Sequence, residues 1–207
     1  MKRLIDLLAA AVALLIFGPL ILLLMLWIRL DSPGPAVFRQ VRVGLHGQTF
    51  RILKLRTMRP DAERVGPKVT GGNDSRITRA GLWLRRYKLD ELPQLWNVLV
   101  GDMSFVGPRP EVPEYVALYP ADAREKIQSI RPGITDPASL QYFDEAAVLA
   151  QHADAETAYR EIVLPQKLAI YCAYVDSHSV IGDLGLIGRT ALAVLGLRSR
   201  DKADEAR

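Results

Sequence analysis

Residues Leu7 to Ile28 carry no charge and are almost wholly aliphatic. About 20 such residues suffice to cross the hydrocarbon core of a bilayer, so this segment dictates membrane insertion before any other feature is weighed. A cleaved signal peptide has a shorter apolar region and a small-residue cleavage site, whereas here Trp27-Ile28-Arg29 follows. Gly18-Pro19 stands near the centre. Pro19 lacks an N–H and its ring crowds the carbonyl of Leu15, which predicts a kink or break. The positive flanks are nearly symmetric: Lys2 and Arg3 precede the segment, and Arg29, Arg39 and Arg42 follow it. The positive-inside rule then favours both ends on the cytoplasmic face. A helix that enters one leaflet and returns satisfies both features. An ordinary kinked transmembrane helix also tolerates the proline, and the residues alone leave the two forms open.

The rest of the chain has the makings of one domain. Of 207 residues 49% are hydrophobic, enough for a packed core. Cys172 is the sole cysteine, which excludes an intramolecular disulfide framework and fits a reducing compartment. The formal charge of +4 suits phosphate-bearing ligands, anionic lipid or nucleic acid. Nucleic acid is the weakest of these, because zinc spacing, a basic zipper and base-stacking aromatic motifs are missing. His46, His152 and His178 share no ligand spacing, so zinc is not indicated. No Gly-rich loop leads into a helix in P-loop or dinucleotide fashion, so ATP use is not indicated.

After the turn chemistry of Asp31-Ser32-Pro33-Gly34-Pro35, Val37–Val43 and Gln48–Thr57 read as a β-hairpin about Gly44-Leu45-His46-Gly47. Arg56 would share a face of the second strand with Lys54 and Ile52. Arg64 to Asn73 reads as a loop. Thr78 can cap a helix reaching about Tyr87, whose Arg79, Arg85 and Arg86 among Leu82, Trp83 and Leu84 suit a membrane-surface helix or a solvated basic face. Helices are also predicted over Glu91 to about Val100, Tyr115–Ile130 with an interruption at Pro120, 144–175 with a break near Pro165, and from a Ser179 cap over Val180 to about Leu197. That last helix carries Leu184, Ile187, Leu192 and Leu195 near one stripe, on the bilayer or on the core. Asp201–Arg207 is a polar tail. Trp83 and Trp96 suit helix anchors, and Cys172 suits inert core. The expected fold is helix-rich α+β.

The chemistry concentrates in Lys88-Leu89-Asp90-Glu91-Leu92-Pro93-Gln94-Leu95-Trp96-Asn97 and, shortly after, Gly101-Asp102-Met103-Ser104-Phe105-Val106-Gly107-Pro108-Arg109-Pro110. Asp90 as a helix N-cap, with Glu91 in the first turn, would be favoured by the helix dipole and kept ionised at neutral pH. An Asp-Glu pair there also needs no more explanation than capping. Two features point further. Arg85, Arg86, Arg109 and Arg131 lie on separate elements, as an anion site gathered by folding requires. Pro108 and Pro110 stiffen the backbone around Arg109.

The two strings, with Arg131-Pro132-Gly133-Ile134-Thr135 and Lys54-Leu55-Arg56-Thr57-Met58, resemble the motifs of the monotopic phosphoglycosyl transferases, the bacterial sugar transferase family, in the family's order. The resemblance runs from Leu4 to about Leu197 and is to the small, minimal-core type without the extra spanning helices of longer relatives. It implies a re-entrant membrane helix over 1–30 bent at Gly18-Pro19, a cytoplasmic catalytic domain over 31–200 with a small hairpin and amphipathic interfacial helices, and a tail over 201–207. It places the protein on the cytoplasmic face of a bacterial inner membrane, at the first membrane step of a glycoconjugate pathway, with downstream glycosyltransferases as partners besides the bilayer.

The implied reaction has two steps. Asp90 attacks the β-phosphorus of a UDP-sugar, UMP leaves, and polyprenol phosphate (undecaprenyl phosphate) then takes the phosphosugar from Asp90. Mg²⁺ is the implied cofactor, with Asp90 as its protein ligand and Glu91 supporting the metal-bound geometry or moving a proton. Arg131 would grip phosphate, with Arg56 and Arg85 as further candidates, and Pro108, Arg109 and Pro110 would border the uridine. Family members typically carry Ser-Pro where this chain has Gly18-Pro19. Asp136-Pro137-Ala138-Ser139-Leu140 departs from the Gly-Leu-Trp-Gln of many members, so no particular sugar follows. Asp136, Asp144 and Glu145 there read as caps and solvated surface. Two other readings stay open: a membrane-tethered nucleotide-sugar binding or scaffold protein without chemistry, and a metal-dependent pyrophosphate hydrolase.

Overall fold

The computed structural model describes residues 2–62, 74–141, 148–149, 151–152 and 154–194. The loop expected at Arg64–Asn73, the tail, Leu195, and Asp144 and Glu145 lie outside the described residues. The chain forms a helix-rich α+β fold. Helix α1 (Lys2–Asp31) precedes strands β1 (Val37–Val43) and β2 (Thr49–Leu55). Then come α2 (Arg79–Arg86), α3 (Gln94–Val100), β3 (Ser104–Val106), α4 (Pro113–Val116), α5 (Ala121–Gln128) and β4 (Gly133–Thr135). The remainder is helical: α6 (Pro137–Gln141), α7 (Ala155–Ala158), α8 (Leu164–Ser177) and α9 (Val180–Val194).

Helix α1 is 30 residues long, which makes it about 45 Å at 1.5 Å per residue if straight. Its assignment is unbroken through Pro19, so the expected break of the helix is not seen. Proline removes one donor, its own, and the apolar neighbours offer the backbone no competing partner. The helix is long and apolar enough to cross a membrane. Both its ends are tied to the body. At the start, Lys2 donates to the Val106 carbonyl (2.9 Å), to the Tyr174 hydroxyl (3.2 Å) and to Asp183. Arg3 donates to the carbonyls of Val98 (2.6 Å) and Leu99 (3.0 Å), and Asp6 accepts from the Ser104 hydroxyl (2.8 Å). Near the other end, Leu24 and Ile28 are buried with Ala36, Leu55, Ala80 and Leu84. Between these anchorages Leu15, Ile16, Leu22 and Leu23 are exposed.

The hairpin pairs Val37 with Leu55 through Val43 with Thr49, and His46 turns it at φ 53°. Arg56 follows the last residue of β2, so strand alternation no longer governs it. Its guanidinium turns away from Lys54 and donates to the carbonyls of Pro33 (2.6 Å) and Ser32 (2.7 Å) and to the Ser32 hydroxyl (2.9 Å). It thereby satisfies oxygens beyond the end of α1, where a helix leaves its last carbonyls without partners.

Thr78 caps α2 as expected, accepting from the Gly81 N–H at 3.0 Å. The second sheet is a parallel pair, β3 with β4, in which Gly107 and Gly133 bring two backbones together. A Cβ at Gly107 would sit 2.3 Å from the Arg131 carbonyl. The break expected near Pro165 is absorbed: Tyr159–Val163 forms a π turn joining α7 to α8, and Pro165 sits in the first turn of α8, where no donor is required. In α9 the core-facing residues are Asp183, Leu186 and Ala193, while Leu184, Ile187 and Leu192 are exposed. Leu186 packs with Val106 and Tyr174, so the stripe read from spacing faces outward. Trp83 and Trp96 are also more than half exposed, and Trp27 meets Trp83 edge-on at 6.4 Å.

Gly107→Ala is expected to destabilise the fold by about 1–3 kcal/mol, the range for overpacking a close contact, read as a lowered midpoint of thermal unfolding in detergent.

Candidate active site

Helix α2 ends at Arg86, and the chain then reverses through Lys88 in the left-handed region (φ 53°). For a residue with a side chain this costs on the order of 1 kcal/mol, a form of strain that clusters at functional sites. One 3₁₀ turn, Leu89–Glu91, leads towards α3. Asp90 is therefore inside a turn and is not an N-cap. Leu89 and Leu92 on either side of the pair pack against the cluster that includes Leu24 and Ile28 of α1.

The two carboxylates have opposite environments. Glu91 Oε1 accepts from Lys54 Nζ at 3.0 Å and from Arg109 Nη2 at 2.5 Å. Burial alone would raise its pKa, but the two cations and their hydrogen bonds outweigh it and hold the carboxyl well below the ordinary range. Asp90 is 9% exposed and its Oδ1 has no hydrogen-bond partner. Burial pushes its pKa up; Lys54 opposes this, the charge of Glu91 adds to it, and Arg85 and Lys88 oppose it. The helix-terminus setting expected to favour the Asp90 charge is thus corrected: Asp90 is not the cap, and burial shifts its pKa upward. No backbone N–H caps that oxygen, and desolvation dominates.

The predicted site residues divide. Arg85 donates through Nε to the Thr57 hydroxyl at 2.9 Å and its charge acts on Asp90. Arg109 is bound to Glu91, and Pro108 and Pro110 flank it on a turn pinned by Arg42, which donates to the Pro110 carbonyl at 2.9 Å. A shallow recess of about 20 Å³ lies beside this turn, lined by Val43, Pro108, Arg109, Pro110 and Tyr119 among others. Arg56 is taken up by the end of α1, as described. Arg131 donates through Nε to the Gly101 carbonyl at 2.8 Å. Gly18 and Pro19 lie in the middle of α1, and a Cβ at Gly18 would meet nothing within 4 Å.

Lys54 was passed over in favour of Arg56 two residues on, although the same motif holds both. The signal that separates them is where the strand ends. Asp136 caps α6 as expected, accepting from the Ser139 N–H at 2.8 Å, but it is fully buried and its charge also bears on Arg109. Among the described residues no three His, Cys, Asp or Glu side chains gather as a metal cage.

These placements yield a sign for stability. Glu91 has a folded pKa below its ordinary 4.5, so its contribution is full above that value and is lost as pH falls through the folded one. Asp90 has a folded pKa above 3.8, so its burial weakens the fold as pH rises through the raised value. In metal-free detergent solution at pH 7.5, Glu91→Gln should cost about 3 kcal/mol, the lower end for breaking a buried pair. Asp90→Asn should raise the unfolding midpoint, and that gain should vanish near pH 4.

A model of the family described as Bacterial sugar transferase matches residues 1–197. A UDP-glucose:undecaprenyl-phosphate glucose-1-phosphate transferase of Caulobacter vibrioides is 41% identical over 207 aligned residues, covering 94% of this chain and 69% of the relative. A UDP-N-acetylgalactosamine-undecaprenyl-phosphate N-acetylgalactosaminephosphotransferase of Aeromonas hydrophila is 43% identical over 136 residues, 65% of this chain and 32% of the relative. The exopolysaccharide production protein PSS of Rhizobium leguminosarum bv. phaseoli is 37% identical over 210 residues, 94% of this chain and 95% of its own.

Proposed function

The chain belongs to the bacterial sugar transferase family, and from that premise we propose that it transfers a phosphosugar from a UDP-sugar to a polyprenol phosphate and releases UMP. The relatives' names support the donor and acceptor classes. The observation that carries the reading is the buried, unpartnered Asp90 oxygen beside a Glu91 locked by two cations. An unbonded carboxylate oxygen keeps its lone pair free for an electrophile.

In this reading Asp90 attacks the β-phosphorus and carries the phosphosugar, and the lipid phosphate displaces it. Lys54, Arg85 and Arg109 form the field into which the pyrophosphate binds. Glu91, held ionised, orients Lys54 and Arg109; of the two roles considered for it, support suits this state and proton transfer does not. The turn Pro108-Arg109-Pro110 borders the uridine. Arg131 has its Nη atoms left for a phosphate oxygen, whereas Arg56 serves the end of α1. A lone buried carboxylate fits Mg²⁺, which favours one or two carboxylates plus substrate phosphates over a full protein cage. Asp90 would hold it, and when bound it neutralises phosphate oxygens.

We read α1 as re-entrant and residues 31–200 as the catalytic domain on the cytoplasmic face. What supports this reading is that the Lys2 and Asp31 ends of the helix both bond to one globular body. The outward Leu82, Trp83 and Trp96, and the exposed side of α9, suit interfacial helices.

Two measurements test this. Detergent-solubilised protein with radiolabelled UDP-glucose or UDP-N-acetylgalactosamine, Mg²⁺ and undecaprenyl phosphate should move label into organic solvent, and Asp90→Asn should lose at least about 10³-fold of the rate. Lipid product formed normally by Asp90→Asn, or UMP released with no lipid product, would overturn the reaction. For topology, Leu4→Cys and Ser32→Cys, each in a Cys172→Ser background, should both label from the cytoplasmic side. Labelling of Leu4→Cys from the opposite side only would show a spanning helix.

A further inference from the structure

Gln94 is 1% exposed, and its Nε2 is a buried donor without a hydrogen-bond partner. It lies one helical turn after Asp90, whose Oδ1 is a buried acceptor without one. The backbone stays helical between them: Leu92 and Pro93 are in the right-handed region, and the Leu92 N–H bonds to the Leu89 carbonyl (3.3 Å) and the Leu95 N–H to the Leu92 carbonyl (3.1 Å). The bonds span three residues, as in a 3₁₀ path, so the two side chains stand little more than one turn apart.

That stretch looks onto β2. One turn further on, Asn97 accepts from the Leu53 N–H at 3.0 Å and donates to the Arg51 carbonyl at 2.9 Å, so its amide is fully used. At the other end Glu91 holds Lys54. Gln94 stands between a satisfied amide and the candidate nucleophile. Leaving a buried polar group unpaired costs about 1–3 kcal/mol, and here two unpaired groups of opposite character adjoin each other.

We infer that Gln94 is a further catalytic residue, whose side-chain amide donates to an oxygen of the phosphoryl group that Asp90 attacks. This rests on the transferase reading and names a new contact within it. A phosphoryl group completes both atoms, offering an electron-poor phosphorus to Oδ1 and an anionic oxygen to Nε2. In the first step the Oδ1 lone pair forms the O–P bond at the β-phosphorus. The bond from that phosphorus to the bridging oxygen breaks, and UMP departs with its electron pair. In the second step an oxygen of the lipid phosphate bonds to the same phosphorus and the Asp90 carboxylate is released. The amide of Gln94 steadies the charge on the non-bridging oxygen in both steps and transfers no proton.

Gln94→Glu keeps the shape and replaces the donor with an acceptor that repels the phosphoryl oxygen. With radiolabelled UDP-glucose or UDP-N-acetylgalactosamine, whichever the wild type uses, label trapped on the protein without lipid should form about 10²–10³-fold more slowly, as for loss of one such donor. Binding of UDP, followed by calorimetry, and the unfolding midpoint should stay near those of the wild type, and Gln94→Asn should recover part of the rate. Wild-type labelling by Gln94→Glu, with labelling lost in Asp90→Asn, would overturn the role of Gln94 alone. So would a loss that merely follows a lowered unfolding midpoint in Gln94→Glu and Gln94→Asn alike. Normal lipid product from Asp90→Asn would overturn the reading beneath it and this inference with it.

Discussion

Glu91 receives Lys54 and Arg109 on a single oxygen, and the arrangement of the site depends on that junction. The three residues come from β2, the turn after α2, and the proline-bounded turn after β3. Remote segments are held together by charge in a place largely withdrawn from water. Attraction between charges so placed is far stronger than at a surface, but only while every member is paired. Arg42 extends the junction to the Pro110 carbonyl and to Glu111, and Tyr159 donates to Glu111 at 2.5 Å. The catalytic field and the structural scaffold are therefore one network.

That network explains why Asp90 can stay unpaired. Lys54 is engaged by Glu91 and Arg85 by the Thr57 hydroxyl, so both act on Asp90 through the field without bonding its Oδ1. A carboxylate bonded directly to Lys54 would be more comfortable and less nucleophilic. Strain at Lys88 and the buried Asp90 charge both weaken the fold locally, and the packing of Leu89 and Leu92 on α1 offsets them. Sites that bind charged ligands commonly carry such local costs.

Much of this was legible in the residues. The hairpin and the Thr78 cap follow from turn chemistry, and arginines on separate elements, Arg85 and Arg109 among them, suggest charges that folding gathers. What was not legible depended on one-residue boundaries and on context. Arg56 shares parity with Lys54, yet the strand stops at Leu55 and the two side chains part. The Leu184, Ile187 and Leu192 stripe of α9 has helical spacing, but Asp183 is drawn inward by Lys2, and that rotates the helix against the pattern. Pro165 reads as a helix breaker, and a π turn before it removes the conflict. The direction of the Asp90 pKa shift depends on which residue occupies the cap, and Lys88 occupies it.

The two anchorages of α1 bear on the chemistry through the elements they hold. Arg3 grips the carbonyls at the end of α3, and Ala10 packs with Val98 of the same helix. Leu24 and Ile28 pack with Ala80 and Leu84 of α2, and Asp31 accepts from the Ala80 N–H at 3.2 Å. Helices α2 and α3 are the two elements that flank the Asp90 turn. On the proposed reading, an apolar helix in lipid, fixed at both ends to these two helices, would set the height of Asp90 relative to the bilayer surface. A reaction whose acceptor phosphate cannot leave the headgroup layer needs that height fixed to within a bond length or two. A soluble body on a flexible tether would leave it free, so the apolar helix belongs to the site's geometry as much as to its anchorage.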